Sequence, residues 1–72
     1  MTEKTQTTLA RESLELERDE MAAALNVHRM TLAKWERGEH KPPAAAVRAT
    51  ELLQFLHKKN LLREFIETQT TN

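Results

Sequence analysis

Arg29, Met30, Ala33, Lys34 and Arg37 are the residues of this chain best spaced to act together. At about 100° per residue they fall on one side of a helix over residues 29–37, with Thr31, Leu32 and Trp35 on the other. Glu36 lies between the two sides. Three cations and no acid on five outward positions is a specific pattern for so short a helix. Arginine and lysine bring positive charge and hydrogen-bond donors but no acceptor, so this edge suits a DNA groove. On the residues alone, an ordinary solvated face explains the same cations equally well.

Catalysis and metal binding have less to work with. There is no cysteine, and His28, His40 and His57 are scattered, unlike the clustered ligands of a zinc site. No paired carboxylates suggest a reaction centre. No catalytic residue, metal or cofactor is therefore expected.

The elements that must position the basic edge follow from local signals. A helix is expected over about residues 18–25, with Asp19 and Glu20 at its positive end. Glu17 is a weak N-cap for it. Met21, Ala22 and Leu25 form its apolar stripe. Asn26 suits a left-handed helix end, Val27 packs beneath that turn, and His28 opens the next helix. Gly38 ends the helix over 29–37. Upstream, a first helix is expected from Thr7 or Thr8 through Leu14, with Leu16 buried in the connection after it. Downstream, Pro43 suits the first turn of a helix over 44–58. That helix carries Ala46, Ala49, Leu53 and Leu56, widened by Leu52 and Phe55. Asn60 is a stop, and Leu61, Leu62, Phe65 and Ile66 form a short fifth helix. The fold class is all-α, a compact bundle of about five short helices containing a helix-turn-helix. Residues 1–7 are expected to be a flexible N-terminus, 8–67 a single domain and 68–72 a flexible C-terminus.

Composition agrees with one small helical domain. The chain has 72 residues, one glycine and two prolines, near the lower limit for a core without staples. No apolar run approaches the roughly 18 residues of a membrane span, and the N-terminus lacks a signal-peptide core. A cytoplasmic protein that does not engage membrane is the expectation. Net charge is zero, with 11 basic and 11 acidic residues, whereas nucleic-acid-binding domains are often strongly basic. The distribution is uneven, however. Residues 1–17 hold two cations against Glu3, Glu12, Glu15 and Glu17, while residues 27–41 hold Arg29, Lys34, Arg37 and Lys41 against Glu36 and Glu39.

Residues 9–58 resemble the lambda-repressor/Cro-type (XRE-like) helix-turn-helix domain, a bundle of about five helices. Carrying the resemblance are Ala22, the turn at Asn26, the apolar pair Val27 and Leu32, and the ending WERGEHKPP. Asn26 stands where the family most often has glycine. Glu15 also replaces a frequent glycine, so a less sharply turned end to the first helix is expected. The resemblance implies that the helix over 29–37 lies in the major groove of double-stranded DNA. Arg29, Met30 and Lys34 match base-reading positions; Arg18, His28, Thr31 and Arg37 match or neighbour phosphate-gripping ones. It also implies that Arg11 pairs with Glu36 and braces the reading helix.

Trp35, beside Leu32, is assigned to the core rather than to base stacking. Leu52, Phe55, Leu62, Phe65 and Ile66 offer more apolar surface than a short fifth helix can cover, and are candidates for a dimer interface. The resulting expectation is a homodimeric repressor at an inverted-repeat operator, acting on its own promoter without a small-molecule ligand. Its size resembles autoregulators of phages and other mobile elements, including anti-CRISPR-associated repressors. The alternative is an antitoxin or protein-interaction adaptor on the same scaffold.

Overall fold

Four helices in succession end on the same backbone device. In the computed structural model, which describes residues 3–70, the helices are α1 (Gln6–Ser13), α2 (Arg18–Leu25), α3 (Arg29–Glu36), α4 (Ala44–Lys58) and α5 (Leu62–Thr70). Past the ends of the first four stand Glu15, Asn26, Gly38 and Asn60, each left-handed, with φ of 58°, 58°, 79° and 61°. The next residue's N–H returns to a carbonyl five positions back: Leu16 to Arg11, Val27 to Ala22, Glu39 to Lys34 and Leu61 to Leu56, at 3.3, 2.9, 2.9 and 2.8 Å. This closure satisfies carbonyls that a helix end leaves open.

Glu15 corrects one expectation. The first connection turns as sharply as the others, although its left-handed residue carries a full side chain. Leu16 explains why: it is buried, and its carbonyl accepts from Arg11 Nη1 at 3.1 Å. Tertiary contacts thus hold a conformation that costs an L-residue roughly 1–2 kcal/mol.

The helix starts differ from the sequence pattern in small, explicable ways. Thr5 caps α1, its hydroxyl accepting from the Thr8 N–H at 3.3 Å. Residues 5–7, expected within a flexible N-terminus, therefore form the cap and opening of α1. Glu17 is a weak cap, but Glu20 compensates by accepting the Glu17 N–H at 3.0 Å, one half of a capping box. Pro43 is the N-cap of α4 rather than a member of its first turn. Arg37 caps the end of α3. α5 is longer than expected and includes residues 68–70 of the proposed flexible C-terminus; residues 71–72 lie outside the described residues.

The core forms where α2, α3, α4 and α5 meet. Met21 and Leu32 are completely buried, joined by Leu14, Leu16, Ala22, Trp35, Leu53, Leu62 and Ile66. Leu62 and Ile66, offered as dimer candidates, are therefore interior residues of a single chain. α5 turns them inward because it packs against both α2 and α4. Arg63 fastens the outer edge of that contact, donating to Glu20 at 3.0 Å.

Replacing Glu15 with glycine should stabilise the fold by about 1 kcal/mol, by relieving the left-handed residue without touching a buried contact. The melting temperature should rise by roughly 4–8 °C. An unchanged or lower value in a thermal melt would contradict the strain assigned to this turn.

Candidate nucleic-acid interface

The outward edge of α3 depends on how firmly its inward edge is held. Leu32 and Trp35 enter the core, one turn apart on the helix. Glu36 completes the inner edge. The sequence placed it between the two sides; the structure buries its side chain to 3% exposure. A carboxylate so enclosed must be paired and hydrogen-bonded, and it is. Arg11 donates through Nε to Oε2 at 2.9 Å and through Nη2 to Oε1 at 3.2 Å. Arg18 Nε reaches Oε1 at 3.2 Å, and the Thr8 hydroxyl reaches it at 3.3 Å. The Thr5 hydroxyl donates to the Glu36 carbonyl at 3.0 Å. One residue at the end of α3 is thereby tied to α1, its cap and the start of α2.

The charge state follows from the same contacts. Burial acts to raise the Glu36 pKa, but hydrogen bonds and charge from Arg11, then Arg18, outweigh it and hold the carboxyl below its ordinary range. Glu36 therefore stays ionised into mild acid. Its contribution to stability is present above the ordinary glutamate pKa and is lost as pH falls through the lowered folded value.

With that edge locked, Arg29, Met30 and Lys34 face solvent. Met30 is 67% exposed, the highest of the large apolar side chains among the described residues. Ala33 is half-buried between them. Arg37 stands exposed at the C-cap. His28 occupies the N-cap of α3 without a side-chain capping bond, and Thr31 is half-buried. Arg18 has two aspects: its Nε is committed to Glu36, while its side chain remains 56% exposed. It is a bracing residue as well as a candidate phosphate contact.

The cationic edge is less bare than the sequence of α3 alone implies. Arg29 Nε lies 3.0 Å from Asp19 Oδ1, and Arg37 Nε lies 2.6 Å from Glu39 Oε2. Both acids come from neighbouring segments, so a helical wheel of α3 cannot show them. Sequence reasoning likewise missed Thr5, Thr8 and Arg18 as partners of Glu36. The Thr5–Thr8 spacing was a legible capping signal; the contact of Arg18 with Glu36 had none. Of the apolar candidates, Leu52 and Phe55 are more than half exposed and Phe65 is half-buried. Lys59 lies over the Phe55 ring, 5.7 Å from its centroid. Among the described residues, no group of three or more His, Cys, Asp and Glu is placed to hold a metal, and no helix is long and apolar enough to cross a membrane.

The sequence model of the helix-turn-helix family matches residues 8–49. That span runs from α1 through the opening turns of α4 and contains both α2 and α3. No curated protein and no solved structure matches the chain.

Replacing Glu36 with glutamine should cost about 3 kcal/mol or more at neutral pH, because Arg11 keeps its largely buried charge and loses its partner. Urea unfolding of both proteins at pH 7 and again near pH 3 would test this. The difference should shrink at the lower pH, because below the ordinary glutamate pKa the unfolded chain binds a proton that the folded ion pair disfavours. Equal stability at pH 7 would mean that the ion pair contributes nothing net.

Proposed function

The chain belongs to the lambda-repressor/Cro-type (XRE-like) helix-turn-helix family of DNA-binding regulators, and from that premise we propose that it is a dimeric repressor of its own promoter. The observation that carries this reading is the two-sided setting of α3. Leu32, Trp35 and Glu36 lock one edge, and Arg29, Met30 and Lys34 are presented on the other. In the major groove, Arg29 takes a guanine through O6 and N7, worth about 1–3 kcal/mol of discrimination. Lys34 contacts a second acceptor, and Met30 lies against a thymine methyl. Arg18, His28, Thr31 and Arg37 hold phosphates and set the register.

A two-fold dimer places its reading helices about 34 Å apart, one turn of DNA. One copy measures 35 Å along its longest axis, so two copies reading adjacent turns meet when that axis lies along the DNA. The exposed Leu52 and Phe55 on α4, with Phe65 on α5, are the surface we assign to that contact. Together with Ala24, Ala49 and Leu56 they line an apolar groove. Repression then follows from occupying an inverted repeat and excluding polymerase, as in the autoregulators of phages and mobile elements that the chain resembles in size. The same groove supports a second reading, in which an antitoxin or adaptor of this scaffold seats a partner protein there.

A mobility-shift titration on DNA upstream of the chain's own gene tests the first reading. Arg29→Ala should lose about 1–3 kcal/mol on the operator and little on scrambled DNA. Arg37→Ala should weaken both equally and reduce the salt slope by about 0.9. Light scattering should give a dimer that Phe55→Glu converts to monomer. No operator preference, together with a stable heteromer in pull-down, would instead favour the adaptor.

A further inference from the structure

Asp19 is a residue of the reading surface that the sequence pattern assigned only to the positive end of α2. It is the second residue of α2, and its Oδ1 lies 3.0 Å from Nε of Arg29, the first residue of α3. The starts of the two helices border a shallow polar indentation lined by Arg11, Glu17, Arg18, Asp19 and Arg29. Both partners of the pair are largely exposed, at 69% for Arg29 and 73% for Asp19. Such a pair adds little to stability, so its consequence lies in where it puts the guanidinium.

A guanidinium has two distinct sides, the Nε corner and the edge formed by the two terminal nitrogens. The terminal edge can donate two parallel hydrogen bonds to guanine O6 and N7. A carboxylate at the Nε corner leaves that edge available while restricting the rotation of a long, exposed side chain. Restraint before DNA arrives reduces the ordering cost on binding.

Arg18 and Arg37 are also met at Nε, by Glu36 and Glu39. The pair at Arg29 differs from both: Arg18 also reaches across from α2 to α3, but its partner Glu36 is buried at the far end of that helix. Glu39 is two residues from Arg37, whereas Asp19 joins Arg29 across the two helices of the helix-turn-helix, ten positions apart.

We propose that Asp19 is a specificity-determining positioning residue: it orients Arg29 toward a guanine and, as an acid near the phosphate track, opposes binding to DNA that offers no such guanine. This rests on the DNA-reading role of α3 stated above. An acid that only repelled DNA would weaken every sequence alike. An acid that positions Arg29 changes the ratio between sequences.

The test begins with wild-type protein selecting from a library of randomised duplex DNA. The guanine read by Arg29 is the position at which Arg29→Ala loses discrimination. Affinities for the selected duplex, and for the same duplex altered at that guanine, are then measured for wild type, Asp19→Asn, Arg29→Ala and the double variant. Using a ratio for each protein cancels any small loss of folded protein from the helix start. Asp19→Asn should lower discrimination at that position about fivefold or more, the lower end of what one bidentate contact supplies. Its affinity for the altered duplex should rise. In the Arg29→Ala background the same change should leave the ratio untouched. The inference is overturned if Asp19→Asn strengthens both duplexes equally, if it alters the ratio without Arg29, or if Arg29→Ala loses no discrimination anywhere. Failure of the wild type to select any sequence overturns the DNA-reading role itself, a distinct result.

Discussion

The fold turns on a buried carboxylate. Glu36 closes α3 inside the protein rather than at its surface, and a charge in that position has to bring its counter-charge with it. Arg11 supplies the counter-charge through a two-point contact, which fixes angle as well as distance. That requirement sets how α1 lies against α3. Arg18 and the threonines at the start of α1 extend the demand to α2 and to the first cap. The result is a rotational lock on α3. With Leu32, Trp35 and Glu36 committed inward, Arg29, Met30 and Lys34 have no orientation open to them except outward.

Such a lock matters because the pieces it joins are short. α1, α2 and α3 have eight residues each, below the length at which an isolated helix is stable in water. Their stability comes from the core around Met21 and Leu32 and from abrupt, well-satisfied ends. Four left-handed residues supply those ends, and only Gly38 does so free of side-chain strain. Asn26 and Asn60 are mild substitutes. Glu15 is the strained member, retained by the burial of Leu16 and by the hydrogen bond from Arg11. Arg11 thus serves both the end of its own helix and the lock on α3.

Charge is organised locally. With no net charge, the chain does not have the strongly basic character that draws many domains to DNA without regard to sequence. Around the helix-turn-helix, Arg18, Arg29 and Arg37 each meet an acid of the same chain at Nε. Neutral composition and a basic outer edge on α3 are compatible because the edge is defined by geometry, over a few side chains.

Much of this was legible in the residues. Apolar spacing located the helices, and Asn26, Gly38 and Asn60 marked three of the ends. The pattern from Ala22 to Gly38 identified the helix-turn-helix, because it depends on contacts between near neighbours in sequence. Trp35 declared itself core by its place beside Leu32. What tertiary structure alone decided were the relations between residues far apart in the chain. Glu36 looked like a boundary residue because a helical wheel contains no α1. The edge of α3 looked free of acid because Asp19 belongs to α2 and Glu39 to the following loop. Leu62 and Ile66 looked available for a partner because periodicity cannot say which apolar face another helix already covers. Local sequence determines which elements form and where they stop; which side chains remain for function depends on packing, since only packing brings the distant charge or the covering helix into place.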